Sequence, residues 1–464
     1  MKIYNTLTRQ IDELEPLAAP TVTVYTCGPT VYDYAHIGHW FNYVRMDTLI
    51  RVLKANDLQP KWVMNITDVG HLVSDADDGE DKLEKGARRE GKTAWEVAEF
   101  YTQDFMQGMQ LLNMLTPDYI TKATEHVDEQ IELIKTLETK GYTYVIDDGV
   151  YYDTSKFEGY ASFARLDLDE QQAGARVSFN EQKRNASDFA LWKFSPQDKT
   201  RDMEWESPWG KGFPGWHIEC SAMSMKYLGD TLDIHTGGID HVMVHHTNEI
   251  AQSEAASGKR FANYWFHSNH VTVNGEKISK SLGNGIRIQE IIEKGVSAEA
   301  VRLHVLESHY RSQSKFSWES LEAAGNRLKS YQAMADLRWQ TRGDAPEFNY
   351  QQPVERILKQ LSNDLDTPST VTFLSALETN LSERLIRTSD TDQFVALLEF
   401  IDDVLGLQLS NRQDISDEQK QLVAERQQAR DNKDWAKSDQ LRDTLVEQGV
   451  GVRDTPTGPI WFRQ

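Results

Sequence analysis

Cysteine is nearly absent from this 464-residue chain: only Cys27 and Cys220 occur. So few, so far apart, exclude a disulfide-stapled secreted scaffold, and in a reducing compartment they do not pair with each other. Long apolar runs are missing too. No stretch of about 18 apolar residues occurs, so no membrane span is expected. Met1-Lys2-Ile3-Tyr4-Asn5-Thr6 opens without the apolar segment of a signal peptide, which makes the cytoplasm the expected compartment. Positive charge is scarce, with 50 Lys and Arg against 72 Asp and Glu and a net charge of −22. That excludes a globally basic, nucleic-acid-coating surface, but leaves room for a local basic stripe on an acidic body. No internal repeat or low-complexity tract interrupts the chain.

What is present is bulky. Hydrophobic residues make up 39%, with 12 Trp, 17 Tyr and 17 Phe. That is enough apolar surface for packed cores, and the length suits about three or four domains. Pro20-Thr-Val-Thr-Val-Tyr-Thr26 alternates and is β-branched, which predicts a strand ending at the turn Cys27-Gly28-Pro29-Thr30. Tyr43, Met46, Ile50 and Leu53 recur at helical spacing and predict a helix over about Trp40–Ala55. Lys61–Ile66 is the next strand. Strand, helix, strand is a βαβ unit, and parallel sheets bind ligands beyond the carboxyl ends of their strands, where Cys27 and Thr67-Asp68 fall.

Further along, Asp75–Lys92 is charged and reads as an exposed loop, followed by a long amphipathic helix carrying Trp95, Val97, Phe100, Tyr101 and Phe105. Asp148-Gly149 between two β-prone runs predicts a hairpin. The expected organisation is an α/β, Rossmann-like parallel-sheet domain in two halves, 1–114 and 206–285, split by an insertion at 115–205. A helical stem region at 286–345 follows, then a polar linker near 341–352, then a mostly helical region at 346–464 with a short β-prone tail.

The residues that carry chemistry form two constellations. His36-Ile-Gly-His39 sits between a strand and a helix N-terminus, where two imidazoles can donate to phosphate, Gly38 admits the nucleotide and the helix start favours anions. Some 240 residues later, Lys277-Ile-Ser-Lys-Ser281 follows a β-prone run. Its ammonium groups, those of Lys277 and Lys280 beside Ser279, suit charge developing on a transferring phosphoryl group. The second constellation is metal-like. His245 and Glu249 are i and i+4 on one helical face; with Cys27 and Cys220 they offer two sulfurs, a nitrogen and an oxygen, a mixture zinc accepts. Taken singly, each motif also reads as a turn, a solvated loop, a surface pair or a packed thiol.

Together the two motifs resemble the HIGH and KMSKS signatures of class I aminoacyl-tRNA synthetases. The chain as a whole resembles the cysteine–tRNA ligases, through Tyr25-Thr-Cys-Gly-Pro-Thr-Val-Tyr32, Asn65-Ile-Thr-Asp68, Pro214-Gly-Trp-His-Ile-Glu-Cys-Ser-Ala-Met223, Asn248-Glu-Ile-Ala-Gln-Ser253 and Ser281-Leu-Gly-Asn284. The resemblance implies a zinc ion on Cys27, Cys220, His245 and Glu249. It implies a cysteine pocket at Gly28, Thr67, Trp216 and Asp240, and ATP contacts at His36, Gly38, His39, Lys277, Ser279 and Lys280. Mg²⁺ with ATP, tRNA(Cys) as partner and a monomeric enzyme are the accompanying expectations. Val244 and Ile239 depart from the family's usual residues, but neither is at a ligand position.

Zinc would answer a selection problem. Serine differs from cysteine by one atom, and size discrimination in an apolar pocket is worth only about 1–3 kcal/mol. A metal-bound thiol ionises near neutral pH, whereas a hydroxyl is a harder ligand and far harder to ionise. Two other readings share the site residues: a ligase joining cysteine to a small amine, and a non-catalytic relative. Basic residues on the last helices (Lys420, Arg426, Arg430, Lys433, Lys437 and Arg442), with Trp435 and Trp461 as stacking surfaces, favour an RNA partner.

Overall fold

The computed structural model describes residues 1–70, 81–165, 181–196, 201–279, 282–455 and 458–464. They form two compact units, one of Met1–Ile291 with Tyr310–Phe316, the other of Ile292–His309 with Ser317–Gln464.

The first unit begins with the hairpin β1 (Lys2–Asn5) and β2 (Gln10–Glu13). β3 (Thr21–Thr26), α1 (Ile37–Ala55) and β4 (Gln59–Ile66) then form the expected βαβ unit. Val22, Val24, Val63, Met64 and Ile66 are fully buried, as strands covered on both faces require. α1 starts three residues earlier than its apolar periodicity. Its first turn is capped by imidazoles instead: the His36 side chain accepts from the Gly38 amide, and the His39 side chain accepts from the His36 amide.

The stretch read as a loop is in part α2 (Lys82–Glu90). Asp81 caps it by accepting from the amides of Leu83 and Glu84, and Gly91 ends it at φ +65°. Its buried stripe is only Leu83 and Ala87, too thin to show as periodicity among so many charges. Residues 75–80 lie outside the described residues. α3 (Ala94–Leu111) buries Val97, Tyr101 and Phe105, while Trp95 and Phe100 face outward.

β5 (Tyr119–Lys122) then pairs with β4, so the parallel sheet reaches past the expected boundary at 114. α4 (Val127–Thr139) precedes an antiparallel sheet of β6 (Thr143–Ile146), β7 (Gly149–Tyr152), β8 (Phe189–Phe194) and β9 (Gly212–Pro214). β9 carries this sheet beyond the expected boundary at 205, because it pairs with β8. The hairpin turn is Asp147-Asp148, since Ile146 pairs with Gly149. Glycine is needed at 149 for a different reason than turning: a Cβ there would lie 2.3 Å from the Trp192 carbonyl oxygen of the neighbouring strand.

α5 (Trp216–Leu228), β10 (Leu232–Gly238), α6 (His245–Ser257) and β11 (Ala262–Ser268) complete the parallel sheet, in the order β11-β10-β3-β4-β5. A small sheet of β12 (Val271–Val273), β13 (Glu276–Lys277) and β14 (Ser314–Phe316) follows.

The second unit is helical: α7 (Ala298–Leu306), α8 (Trp318–Asp336), α9 (Gln351–Leu361), α10 (Thr367–Arg384), α11 (Thr391–Leu405), α12 (Asp417–Asp431) and α13 (Trp435–Glu447). It closes with the hairpin β15 (Val450–Thr455) and β16 (Gly458–Arg463). Asp336, fully buried at the end of α8, takes paired hydrogen bonds from Arg412 and Arg463, which ties the tail to the helices. Among the described residues, no helix is long and apolar enough to cross a membrane.

Candidate active site and metal centre

The parallel sheet sends three strand ends to one place. Cys27 follows β3, and its amide donates to the Thr236 carbonyl of β10. Thr67 follows β4. Asn65 links these two ends, because its Oδ1 accepts from the Gly28 amide and its Nδ2 donates to Thr67 Oγ1. Gly28 has no room for a side chain: a Cβ would sit 1.5 Å from the Asn65 carbonyl oxygen.

α5 and α6 bring the remaining polar groups to the same point. The ligand atoms of Cys27, Cys220, His245 and Glu249 all lie within 4.8 Å of one another, and all four residues are buried. A second set, Cys27, His235, His246 and Glu249, meets the same criterion. Neither His235 nor His246 stood out in the sequence. The signals for them were the doublet His245-His246 at the start of α6 and a histidine near the end of β10.

The electrostatics of the cluster are set by burial and by the mutual contact of its four residues. Burial pushes the Cys27 thiol well up, reinforced by its hydrogen bond to Cys220, and that same bond pulls Cys220 down. Burial opposes charge on Glu249, but His235 and His245 outweigh it and hold the carboxyl well below its usual range. Burial likewise opposes charge on His245, yet Glu249 and Cys220 push it up to about 10. Burial, with the charge of His245, takes His241 down to about 4. Among the described residues, the buried His235 Nδ1 and His241 Nδ1 have no hydrogen-bond partner. Two sulfurs, an imidazole and a carboxylate in one dry pocket fit a zinc ion.

A hydrogen-bonded row backs the cluster. Thr6 Oγ1 lies 2.7 Å from His267 Nδ1, His267 Nε2 lies 2.8 Å from His246 Nδ1, and His246 Nε2 lies 3.4 Å from Cys27 Sγ. Burial lowers the pKa of both His246 and His267 well below the usual value, so the two are neutral and their tautomers are set by this row. Gly237 makes the approach feasible, since a Cβ there would meet the rings of His246 and His241 at 2.7 and 2.8 Å.

Of the residues assigned to a cysteine pocket, Trp216 is half-buried with its ring centroid 4.5 Å from that of His245, which puts it beside the cluster. Gly28 and Thr67 lie at the strand ends. Asp240 is exposed in a short helical turn after β10.

The two phosphate motifs also meet. A Cβ on Gly38 would lie 3.0 Å from the Ile278 side chain, the Ile37 amide donates to the Ile286 carbonyl, and His36 bridges to Arg287. His36 and His39 stack at 3.8 Å. Because each Nδ1 accepts a backbone amide, each ring carries its proton on Nε2, the tautomer suited to donating to phosphate. Lys277 is exposed. Lys280 and Ser281 lie outside the described residues. Asn284, after them in the chain, holds the described backbone before them: its Oδ1 accepts from the Ser279 amide and its Nδ2 donates to the Lys277 carbonyl.

At the C-terminal end the basic residues divide. Arg426 is buried and holds Asp454 with two hydrogen bonds, and Trp461 belongs to a core with Ile415, Val423, Leu445 and Val450. Neither is available for RNA, contrary to the expectation from sequence, because both close the hairpin against α12 and α13. Lys433, Lys437 and Trp435 are exposed.

Comparison with known proteins agrees with this geometry. Residues 13–326 match the family described as the class I (C) tRNA synthetase catalytic domain, and residues 412–461 match the cysteinyl-tRNA ligase anticodon binding domain. Cysteine–tRNA ligase 1 of Burkholderia lata is 45% identical, covering 100% of this chain and 97% of that protein. The cysteine–tRNA ligase of Treponema denticola is 40% identical, covering 99% of each. Among solved structures, methionyl-tRNA synthetase of Mycobacterium tuberculosis in complex with methionyl-adenylate has a TM-score of 0.60 over 84% of this chain and 92% of that one. At 14% identity, this shows a shared class I fold.

Proposed function

The chain belongs to the cysteine–tRNA ligase family, and from that we propose that it selects L-cysteine through a thiolate–zinc bond before joining it to tRNA(Cys). The observation that carries the zinc reading is the buried cluster of Cys27, Cys220, His245 and Glu249 at the end of the sheet. Zinc held there supplies a Lewis acid that ionises a thiol and takes sulfur in preference to a hydroxyl. Trp216 and the Gly28–Thr67 strand ends flank the amino acid. The Nε2–H groups of His36 and His39 donate to the ATP phosphates, with Gly38 giving them room, while Lys277 and Lys280 balance charge as the substrate carboxylate attacks the α-phosphorus. The bond to the β-phosphate oxygen breaks and pyrophosphate leaves, giving cysteinyl-adenylate. Mg²⁺ enters with ATP as part of the substrate. The region 346–464 reads the tRNA, consistent with the match at 412–461. A ligase acting on a small amine would have no use for that segment.

ATP–pyrophosphate exchange with cysteine and with serine, followed by tRNA(Cys) charging, tests the reading. Cysteine-dependent exchange that falls with zinc removal is the expected result. Exchange equally strong with serine, or unaffected by complete loss of zinc, would overturn zinc selection.

A further inference from the structure

The second unit holds a cavity of about 720 Å³ at residues 348–384, in the stretch between the two segments that match family domains, 13–326 and 412–461. Its size falls in the range of about 300–1,000 Å³ typical of ligand sites. α9 contributes Gln352 and Arg356, one turn apart, and α10 contributes Phe373, Asn380 and Arg384 at helical spacing; Phe348 closes one side. No Asp or Glu lines it.

Two features separate this cavity from an ordinary groove. One is unspent positive charge in a chain of net charge −22. Among the described residues, Arg356 makes no ion pair, and its guanidinium carbon lies 4.3 Å from the Phe373 ring centroid. Arg384 reaches 5.8 Å from the Phe348 centroid and donates to the Glu347 backbone carbonyl, with no carboxylate partner. The other is the pairing of each guanidinium with a ring. A guanidinium beside a ring keeps its charge and its N–H donors, and guanidinium donors can grip a phosphate through two oxygens. The partly buried rings of Phe348 and Phe373 offer flat apolar surface, and the amides of Gln352 and Asn380 offer both donors and acceptors, as a base edge requires.

We propose that this cavity receives one nucleotide unit, its base against the phenylalanine rings and its phosphate on Arg356 and Arg384. An unpaired nucleotide of the tRNA and a free mononucleotide share this chemistry. The first source rests on the tRNA-ligase reading; the second does not.

The test uses the full-length chain, an Arg356→Gln/Arg384→Gln double variant and a Phe373→Leu variant, each checked for unchanged melting temperature and unchanged cysteine-dependent pyrophosphate exchange. Probes are a tRNA(Cys) transcript, followed by fluorescence anisotropy across a salt series, and CMP, followed by equilibrium dialysis. If the tRNA is the source, the double variant binds it about tenfold more weakly with a salt slope reduced by roughly one to two, and Phe373→Leu weakens it at least about fivefold. If a free nucleotide is the source, the parent binds CMP saturably, the double variant does not, and tRNA affinity is unchanged. If the folded variants match the parent with both probes, the cavity is not a nucleotide site. A parent that neither activates cysteine nor charges tRNA would instead sink the ligase reading, and the two failures are distinguishable.

Discussion

His245 and Glu249 stand one turn apart on α6 with the imidazole Nε2 2.7 Å from the carboxylate Oε1, both side chains buried. The second carboxylate oxygen, Oε2, lies 2.6 Å from His235 Nε2. Glu249 is therefore gripped from two sides, so the same carboxylate can face a metal through Oε1 while His235 keeps it in place through Oε2. On the opposite ring atom, His245 Nδ1 is held 2.9 Å from His217 Nδ1, which leaves Nε2 as the nitrogen aimed at the cluster. Partners of this kind fix the orientation of metal ligands and tune their basicity.

The row behind Cys27 gives the first prediction. Replacing His246 by Ala removes the hydrogen bond to the Cys27 sulfur and leaves His267 without its partner. Zinc affinity should fall about 10–100-fold, as for other partners of metal ligands. Competition with a chelating dye reads this directly, and an unchanged affinity would show that the row does not support the metal.

Asn284 and Lys280 act on the same loop by different means. Lys280→Ala removes charge from the reacting phosphate and should slow cysteine-dependent exchange about 10²–10³-fold. Asn284→Ala frees the loop at the Lys277 carbonyl and the Ser279 amide. It should slow exchange by about tenfold through kcat, with zinc content unchanged. Exchange at the parental rate in either variant would remove that residue from the mechanism.

Sequence patterns made some of these residues visible and left others hidden. Cys27, Cys220, His245 and Glu249 could be read because a metal demands particular residue types, and those types are rare enough here to stand out. His235, His246 and His267 were hidden because a histidine on a strand or helix carries no mark of what faces it; only the sheet and α6 together show that. The strand β3 was legible from its alternating β-branched run, and β4 from its place after the helix. β5 was not, since Tyr119–Lys122 is short and Tyr119 is exposed at the sheet edge. α2 reads as a loop in the sequence, because its marks are the caps Asp81 and Gly91 rather than hydrophobic spacing. Arg426 and Trp461 show the opposite failure: residue types suited to RNA were absorbed by packing and an ion pair.

The exposed tip around Lys433 and Lys437 should contact RNA. Deleting everything from Pro353 is a poor test, because it strips Arg412 and Arg463 from the buried carboxylate of Asp336. A Lys433→Glu/Lys437→Glu variant keeps the fold and reverses the charge. It should weaken tRNA(Cys) binding about tenfold or more and lower its salt dependence, with exchange unaffected. Equal affinity across the salt series would place the RNA elsewhere.

Asp68, at the end of β4, has its carboxyl pushed up to about 6 by burial, against hydrogen bonds from Thr124 that pull it down. Between pH 4 and 6 the native state thus holds a proton that the unfolded state has released, and stability falls as pH rises through this window. Asp68→Asn cannot ionise. Relative to the parent it should gain about 2–3 kcal/mol between pH 4 and pH 7. Denaturation at the two pH values measures this, and parallel losses in both proteins would assign the pH dependence to other groups.

The last prediction concerns how cysteine meets the metal. If zinc is held as proposed, Cys27, Cys220, His245 and Glu249 would make a four-ligand set, yet a catalytic zinc keeps a position for substrate. The substrate sulfur would then either add as a fifth ligand or take the place of one of the four. Glu249 is the candidate to withdraw, because it is a hard carboxylate set against two soft thiolates. The grip of His235 on Oε2 gives it a buried partner when it does. Both routes raise the number of sulfur neighbours from two to three, with the new bond at about 2.3 Å. X-ray absorption with and without saturating cysteine counts them, and serine should leave the count at two. Cys220→Ser should lose zinc retention and cysteine activation together, and the residual activity should favour cysteine over serine far less than the parent does. A sulfur count unmoved by cysteine would exclude thiolate coordination and with it zinc as the basis of selection.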